Sequence, residues 1–199
     1  APCKRLVWAG GLAVAACVAL SVSSSAQGGG ASTTGRLNPI IARFEQGKPS
    51  FSQEQWQLFG IEHNPFIFLT LDQGLKALRP EGSPRPRLAP FVRIEYEGDQ
   101  DFKQAVKQWL DVGAMGIIVP HVNTAAEARK LVSYMRYPPQ KILAGVPREP
   151  VGVRGAGGTR AVSYWGLTSD EYVAKADVWP LNPQGELLAM VMFEDIKAL

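Results

Sequence analysis

Short apolar segments alternate with helix-like segments along this chain, and this alternation limits the folds that the chain can adopt. Three segments have the composition of buried strands: residues 91–94, 116–119 and 187–193. Helical patterns cover residues 101–112 and the segment from Thr124 to about Met135. Strands separated by helices predict a parallel sheet. No Gly-x-Gly-x-x-Gly turn follows an early strand, so the order favours a (β/α) barrel over a doubly wound sheet.

Further segments extend this β/α pattern. Residues 39–46 have helical spacing, residues 56–61 form a short apolar segment, and residues 169–175 indicate a short helix. Two capping boxes predict where helices begin: Thr70 with Gln73, opening a helix to about Leu78, and Thr124 with Glu127. Residues 140–166 are rich in Gly, Pro and Arg, which predicts a long loop at an active site or an interface.

The first 26 residues have the pattern of an export signal. Lys4 and Arg5 precede an apolar run at residues 6–22, and small residues at 23–26 offer a cleavage site. Residues 27–36 are rich in Gly, Ser and Thr, which predicts a flexible linker. We therefore expect an exported protein, periplasmic or secreted, with a barrel domain at residues 37–199.

Two other roles for the N-terminal segment stay open. The apolar run at residues 6–22 is at the short end of the ~17–25 residues that span a membrane, so an uncleaved anchor is one alternative. Residues 14–17 resemble a lipoprotein cleavage box in which Cys17 is lipidated. Cys3 and Cys17 are the two cysteines, so cleavage near Ala26 would leave no disulfide or cysteine–metal site.

Composition and charge exclude one class of partner. The 199 residues are 46% hydrophobic and 20% charged, which is typical of a single globular domain with a sizeable core. The net charge is +3, and no dense Lys/Arg stripe is interleaved with aromatic residues. Nucleic acid is therefore disfavoured as a partner, and small anionic substrates remain compatible.

Six residues could carry chemistry, four of them at or near predicted strand ends. The candidates are Glu62, His63, Arg93, Asp111, His121 and Glu194. His63 is a candidate general base or a structural histidine bonded to backbone, and Arg93 could equally pair with a carboxylate. His121 is more simply a loop residue, and Asp111 a solvated turn residue. Glu194 ends an apolar strand, so its carboxylate should meet a cation, a metal or hydrogen-bond donors.

Several segments, in this order, resemble the HpcH/HpaI aldolase/citrate lyase family, especially its class II, metal-dependent pyruvate aldolases. The matching residues are Glu62-His63-x-Pro65, Val92-Arg93, Leu110-Asp111-Val112-Gly113-Ala114, Ile118-Val119-Pro120, Thr124-Ala125-x-Glu127-Ala128-Arg129, Arg136-Tyr137-Pro138-Pro139, Arg154-Gly155 and the strand that ends at Glu194. The similarity covers residues 37–199.

The resemblance implies a (β/α)8 TIM barrel of the phosphoenolpyruvate/pyruvate superfamily, of which about the first five strands are present. It implies a divalent metal cation, Mg, Mn or Co, held by Glu194 and by an Asp beyond residue 199. His63 would be the catalytic base, Asp111 its orienting partner, and Arg93 the group that binds the keto oxygen. The partners implied are a small 2-oxo acid and an aldehyde, with a homo-oligomer at full length and an inactive fragment.

Two departures from the family pattern leave the function open. Met192 stands where the aldolases often carry a Gln, and Gly60 stands where they often carry an Asp. The resemblance implies an aldolase that cleaves a 4-hydroxy-2-oxo acid to pyruvate and an aldehyde through a pyruvate enolate. The alternatives are a non-catalytic oxoacid-binding barrel and a CoA-ester lyase, which the Arg136 to Pro139 motif disfavours.

Overall fold

Four parallel strands lie side by side in the order β1-β2-β3-β4. The structure is a computed structural model, and it describes residues 35–61, 68–97, 100–139 and 144–198. The strands are β1 (Trp56–Gly60), β2 (Ala89–Arg93), β3 (Gly116–Val119) and β4 (Leu188–Val191). All three neighbouring pairs are parallel, so the strands share a carboxyl edge, where they end, and an amino edge, where they begin.

Helices connect consecutive strands, as a parallel sheet requires. The helices are α1 (Pro39–Phe44), α2 (Phe68–Leu78), α3 (Lys103–Val112), α4 (Ala125–Met135), α5 (Thr159–Trp165) and α6 (Ser169–Lys175), followed after β4 by a 3-10 turn, Ile196–Ala198. One helix links β1 to β2, another links β2 to β3, and three lie between β3 and β4.

Helix α1 packs at the amino edge through its N-cap residue. Asn38 Oδ1 accepts a hydrogen bond from Ile40 N at 3.0 Å, which begins the helix. Asn38 Nδ2 donates to Glu186 O at 3.1 Å and to Met115 O at 3.4 Å, both just before a strand. Ile40 and Ile41, in the first turn of this helix, are buried.

Buried side chains lie on both faces of the sheet, because Phe91 pairs in register with Gly116 and therefore points to the face opposite Ile117. Phe91 and Ile117 of the sheet are fully buried, as are Val106 and Leu110 of α3. Burying one such side chain stabilises a fold by about 1.5–3 kcal/mol. Gly116 is required here, because a Cβ at that position would lie 2.1 Å from the Phe91 ring.

Several predicted elements are confirmed. β3 has the predicted bounds, α6 spans the predicted residues, and α3 begins two residues later than predicted. The capping box of α4 forms: Thr124 Oγ1 accepts from Glu127 N at 3.2 Å, and Glu127 Oε2 accepts from Thr124 N at 2.8 Å.

Other predicted elements are wrong in detail. Thr70 lies inside α2 and is not its N-cap, because the helix already includes Phe68. α5 lies within the segment 140–166 that was predicted to be a loop, and β4 is shorter than the predicted 187–193.

The N-terminal predictions fall outside the described chain. The export signal at residues 1–26, Cys17 and most of the linker at 27–36 precede Gly35, where the described residues begin. Within the described ranges, none of the helices has both the length and the apolar character that crossing a bilayer would take.

Candidate functional site

The candidate site lies at the carboxyl edge of the sheet, where three predicted residues meet the ends of neighbouring strands. Arg93 is the last residue of β2 and pairs in register with Gly60 of β1 and Ile118 of β3. His121 follows β3 by two residues, and Glu194 follows β4 by three. Barrel enzymes carry their chemistry at this edge.

The ladder between β3 and β4 continues past the strand ends. Met192 N donates to Val119 O at 2.9 Å, and Val122 N donates to Met192 O at 3.1 Å. These bonds hold the two loops side by side. Met192 is half-buried in this ladder. Because it is a methionine, it brings no amide group to this position.

Glu194 contacts His121 at two nitrogen atoms, the main-chain N and Nδ1. Its Oε2 accepts a hydrogen bond from His121 N at 2.9 Å and lies 3.1 Å from His121 Nδ1. Both side chains are accessible, with 44% of His121 and 37% of Glu194 exposed. The predicted need of Glu194 for a donor is thus met by His121, whose φ of 53° is unusual for a residue other than glycine.

Arg93 places a cation at the same edge. Its side chain is half-buried, and a Cβ on Gly60 would lie 4.0 Å from Arg93 Nη2. The guanidinium therefore lies beside the end of β1. A fixed donor group in such a position can stabilise negative charge on a carbonyl oxygen of a bound substrate.

His63 and Glu62 lie outside the described residues, so the role of His63 stays a prediction. The chain leaves β1 at the carboxyl edge, where Ile61 N donates to Arg93 O at 3.1 Å. The described chain therefore reaches the edge that carries Arg93 at Ile61.

The structure does not bring Asp111 to this edge. Asp111 lies in the last turn of α3, which returns the chain to the amino edge, where Met115 N donates to Pro90 O at 2.8 Å. Its carboxylate accepts from Lys107 Nζ at 2.5 Å and from Arg154 Nη2 at 2.9 Å. Within one chain, Asp111 is thus at the opposite edge from the end of β1, and we leave it out of the site that we propose below.

Arg154 is the buried residue that holds Asp111, and no such role was predicted for it. Its side chain is fully buried, and its Nη2 also donates to Tyr172 Oη at 2.8 Å. Its guanidinium carbon lies 4.5 Å from the centre of the Tyr137 ring. Burial raises the pKa of the Tyr172 hydroxyl to about 12, so this hydroxyl stays protonated at neutral pH. The family resemblance includes Arg154-Gly155 but assigned no role to the Arg154 side chain.

The residues at the carboxyl edge fit part of a metal site. Glu194 supplies a carboxylate and His121 an imidazole, and both groups are common metal ligands. Within the described ranges, no group of three or more His, Cys, Asp or Glu side chains lies close enough together to hold a metal ion. The chain therefore places two candidate donors at this edge.

A separate cleft of about 470 Å³ lies among the helices. It is lined by residues of α2, the end of α3 and α5, including Lys76, Arg79 and Arg160 around Asp72. Arg93, His121 and Glu194 do not line it. We place the candidate site at the strand ends, because the sheet brings the three side chains there to one edge.

Comparison with known proteins identifies relatives. The family model for HpcH/HpaI aldolase/citrate lyase matches residues 76–178. A 2-keto-3-deoxy-L-rhamnonate aldolase from Salmonella gallinarum is 36% identical over 61% of this chain and 38% of that protein. The corresponding aldolase from Klebsiella pneumoniae is 33% identical over 72% of this chain and 44% of that protein. The chain therefore spans less than half the length of these relatives.

A solved structure supports the same fold. The HpcH/HpaI aldolase from Desulfitobacterium hafniense superposes with a TM-score of 0.51 at 23% identity, covering 81% of this chain and 51% of that one. The predicted barrel-type α/β fold is confirmed by this match, with only some of the strands present. Since the family model covers just over half of the 199 residues, the chain belongs to the HpcH/HpaI aldolase/citrate lyase family.

Proposed function

We propose that the full-length protein is a metal-dependent carbon–carbon lyase that cleaves a 4-hydroxy-2-oxo acid to pyruvate and an aldehyde. The observation that carries this proposal is the arrangement of Arg93 and Glu194 at the carboxyl edge of one parallel sheet. The names of two relatives support it, because a 2-keto-3-deoxy sugar acid is a 2-oxo acid that can carry a 4-hydroxyl group.

The residues at the edge suit the charges of such a substrate. Arg93 would bind the keto oxygen and stabilise the negative charge that develops there as the bond breaks. Glu194 would hold the divalent metal, which when bound acts as a Lewis acid toward the 2-oxo acid. Neither group needs to move a proton for these roles.

Cleavage also needs a base and a final proton transfer. In our proposal, His63 takes the proton of the C4 hydroxyl, the C3–C4 bond breaks, and the aldehyde forms as its electrons pass to the pyruvate enolate. A proton then returns to C3 to complete pyruvate. His63 is assigned by the family resemblance and by its place in the sequence, three residues after the end of β1.

Arg93→Ala tests the role of the guanidinium. In the full-length protein, we expect pyruvate release from 4-hydroxy-2-oxo acids to require a divalent metal and to fall about 10²–10³-fold in kcat in this variant. Arg85→Ala is the matched control, because Arg85 is exposed on the loop before β2, near the amino edge. Equal activity of the two variants would reject the role of Arg93, and pyruvate release that a chelator leaves unchanged would reject the metal.

A second function is favoured by two positions at the same edge. Gly60 and Met192 offer no polar side chain there, which suits an oxoacid-binding protein without turnover. Calorimetry with pyruvate and oxalate distinguishes the two proposals. Binding without cleavage of any acid in a broad substrate panel supports the binding protein and contradicts the aldolase.

A further inference from the structure

His121 and Glu194 bring two metal-ligand atoms together at the carboxyl edge. His121 Nδ1 lies 3.1 Å from Glu194 Oε2. The two residues follow different strands and are 73 positions apart in sequence. Their contact is therefore produced by the fold, through the extended β3–β4 ladder, and not by local chain geometry.

The separation of these atoms suits two ligands of one ion. Nitrogen and oxygen ligands bind a divalent metal such as zinc at about 2.0–2.2 Å. Two such ligands at a right angle around the ion lie about 3 Å apart, which follows from the same bond lengths. The Nδ1 to Oε2 distance of 3.1 Å is close to this value. A partly exposed imidazole and carboxylate also leave room for an ion on their solvent side.

Hydrogen bonds on both sides of His121 hold the loop that carries it. His121 has φ of 53°, a left-handed conformation that residues with a side chain rarely adopt. The conformation is held on both sides: His121 N donates to Glu194 Oε2 at 2.9 Å, and Asn123 Nδ2 donates to His121 O at 3.1 Å. Asn123 N in turn donates to Glu127 Oε2 at 2.8 Å, which ties the loop to the first turn of α4.

We propose that His121 is a further protein ligand of the divalent metal, beside Glu194 and the Asp that the family resemblance implies. The inference rests on the proposed function, because it assumes that Glu194 holds a metal. It also narrows the choice of ion: an imidazole ligand suits transition metals, whereas Mg²⁺ takes oxygen ligands. Of Mg, Mn and Co, the site therefore favours Co and Mn.

The test measures metal ligation directly in the full-length protein loaded with Mn²⁺. Pulsed EPR detects the nitrogen of an imidazole bound to the ion, and titration gives the Kd for Mn²⁺, Co²⁺ and Mg²⁺. His121→Asn removes the imidazole but keeps the main-chain N–H, and asparagine tolerates the left-handed conformation. His63→Asn is the matched control, because His63 is the other of the two histidines in the 199 residues.

We expect a nitrogen signal in the wild type and in His63→Asn, and its loss in His121→Asn. We also expect at least a tenfold rise in the Kd for Mn²⁺ in His121→Asn, and a smaller preference for Co²⁺ over Mg²⁺. A wild-type spectrum without a nitrogen signal overturns the inference, whether or not the variant folds. A signal that survives in His121→Asn overturns it as well.

Glu194→Gln separates this inference from the function on which it rests. If Mn²⁺ binding depends on Glu194 but the spectrum shows no imidazole, the proposed metal site stands and the role of His121 is rejected. If Glu194→Gln binds Mn²⁺ as tightly as the wild type, the metal site of the proposed function fails, and the ligation by His121 fails with it.

Discussion

Glu186 is a carboxylate buried at the amino edge of the sheet, on the side opposite the candidate site. Its Oε2 accepts a hydrogen bond from Asn38 N at 2.9 Å, while Arg36 Nη1 and Lys175 Nζ lie 3.7 and 3.8 Å from its Oε1. Burial raises the pKa of Glu186, because removal from water disfavours the charged form more than these contacts favour it.

This raised pKa predicts how stability depends on pH. The folded protein holds the Glu186 proton more tightly than the unfolded chain does. The protonated Glu186 therefore contributes its full stabilisation of the fold at pH values below the usual carboxyl pKa. It is lost as pH rises through the higher folded pKa. The Gln side chain of Glu186→Gln does not titrate. The free energy of unfolding of the variant, relative to that of the wild type, should therefore increase from acidic to neutral pH.

Thermal melts of both proteins across this pH range measure the effect. The difference between the two proteins isolates Glu186, because carboxylates with lowered pKa, such as Glu127 and Glu171, titrate equally in both. A difference in the free energy of unfolding that stays constant with pH would contradict the prediction.

Single residues also show what the sequence could predict about the site. Arg93 and Glu194 could be located at strand ends because each follows an apolar segment. The contact between His121 and Glu194 could not be predicted, since it depends on the β3–β4 register and on the φ of His121. The position of Asp111 was equally hidden, because the sequence does not show that the buried Arg154 binds it at the amino edge.

At the scale of elements, the capping box of α4 lies next to the loop that carries His121. Glu127 Oε2 accepts hydrogen bonds both from Thr124 N, within the box, and from Asn123 N, in that loop. Thr124→Ala removes the Oγ1 acceptor of Glu127 N. We expect a loss of about 1 kcal/mol in the free energy of unfolding. This corresponds to a fall in Tm of about 2–4 °C for a domain of this size. Thr124→Ser keeps the hydroxyl and is the control, so equal destabilisation of both variants would exclude the cap as the cause.

The elements differ in how much of their structure the sequence reveals. The α4 box was predictable because polar residues precede the apolar spacing. The box at Thr70 was not reliable, since apolar Phe68 and Leu69 continue the helix toward its N-terminus. α5 was missed because Gly158 and Gly166 flank it, and glycines in a sequence indicate loops. In the structure both glycines are helix caps with left-handed φ. Its buried residues Ala161, Tyr164 and Trp165 have helical spacing, and this signal could have identified the helix.

At the scale of the molecule, the described sheet has two outer strands. β1 pairs with β2 alone, and β4 pairs with β3 alone, among the strands that the structure describes. Large apolar side chains on and after β4 are exposed, with Met190 at 41%, Phe193 at 56% and Ile196 at 85%. In a closed barrel such edges are paired, and exposed edge strands favour aggregation. The match to 51% of the Desulfitobacterium hafniense structure agrees with a sheet that continues in longer members of the family.

A protein made of residues 27–199 alone should therefore lack a cooperative fold and should be inactive. Both outer strands would leave backbone donors and acceptors unpaired, and the apolar surface after β4 would have no covering strand or helix. We expect broad, non-cooperative loss of circular dichroism on heating and strong binding of a hydrophobic dye, whereas the full-length protein should melt in a single transition. A cooperative melt of residues 27–199 without dye binding would show that the four-stranded sheet is stable without further strands, and the apolar surface after β4 would then need another explanation.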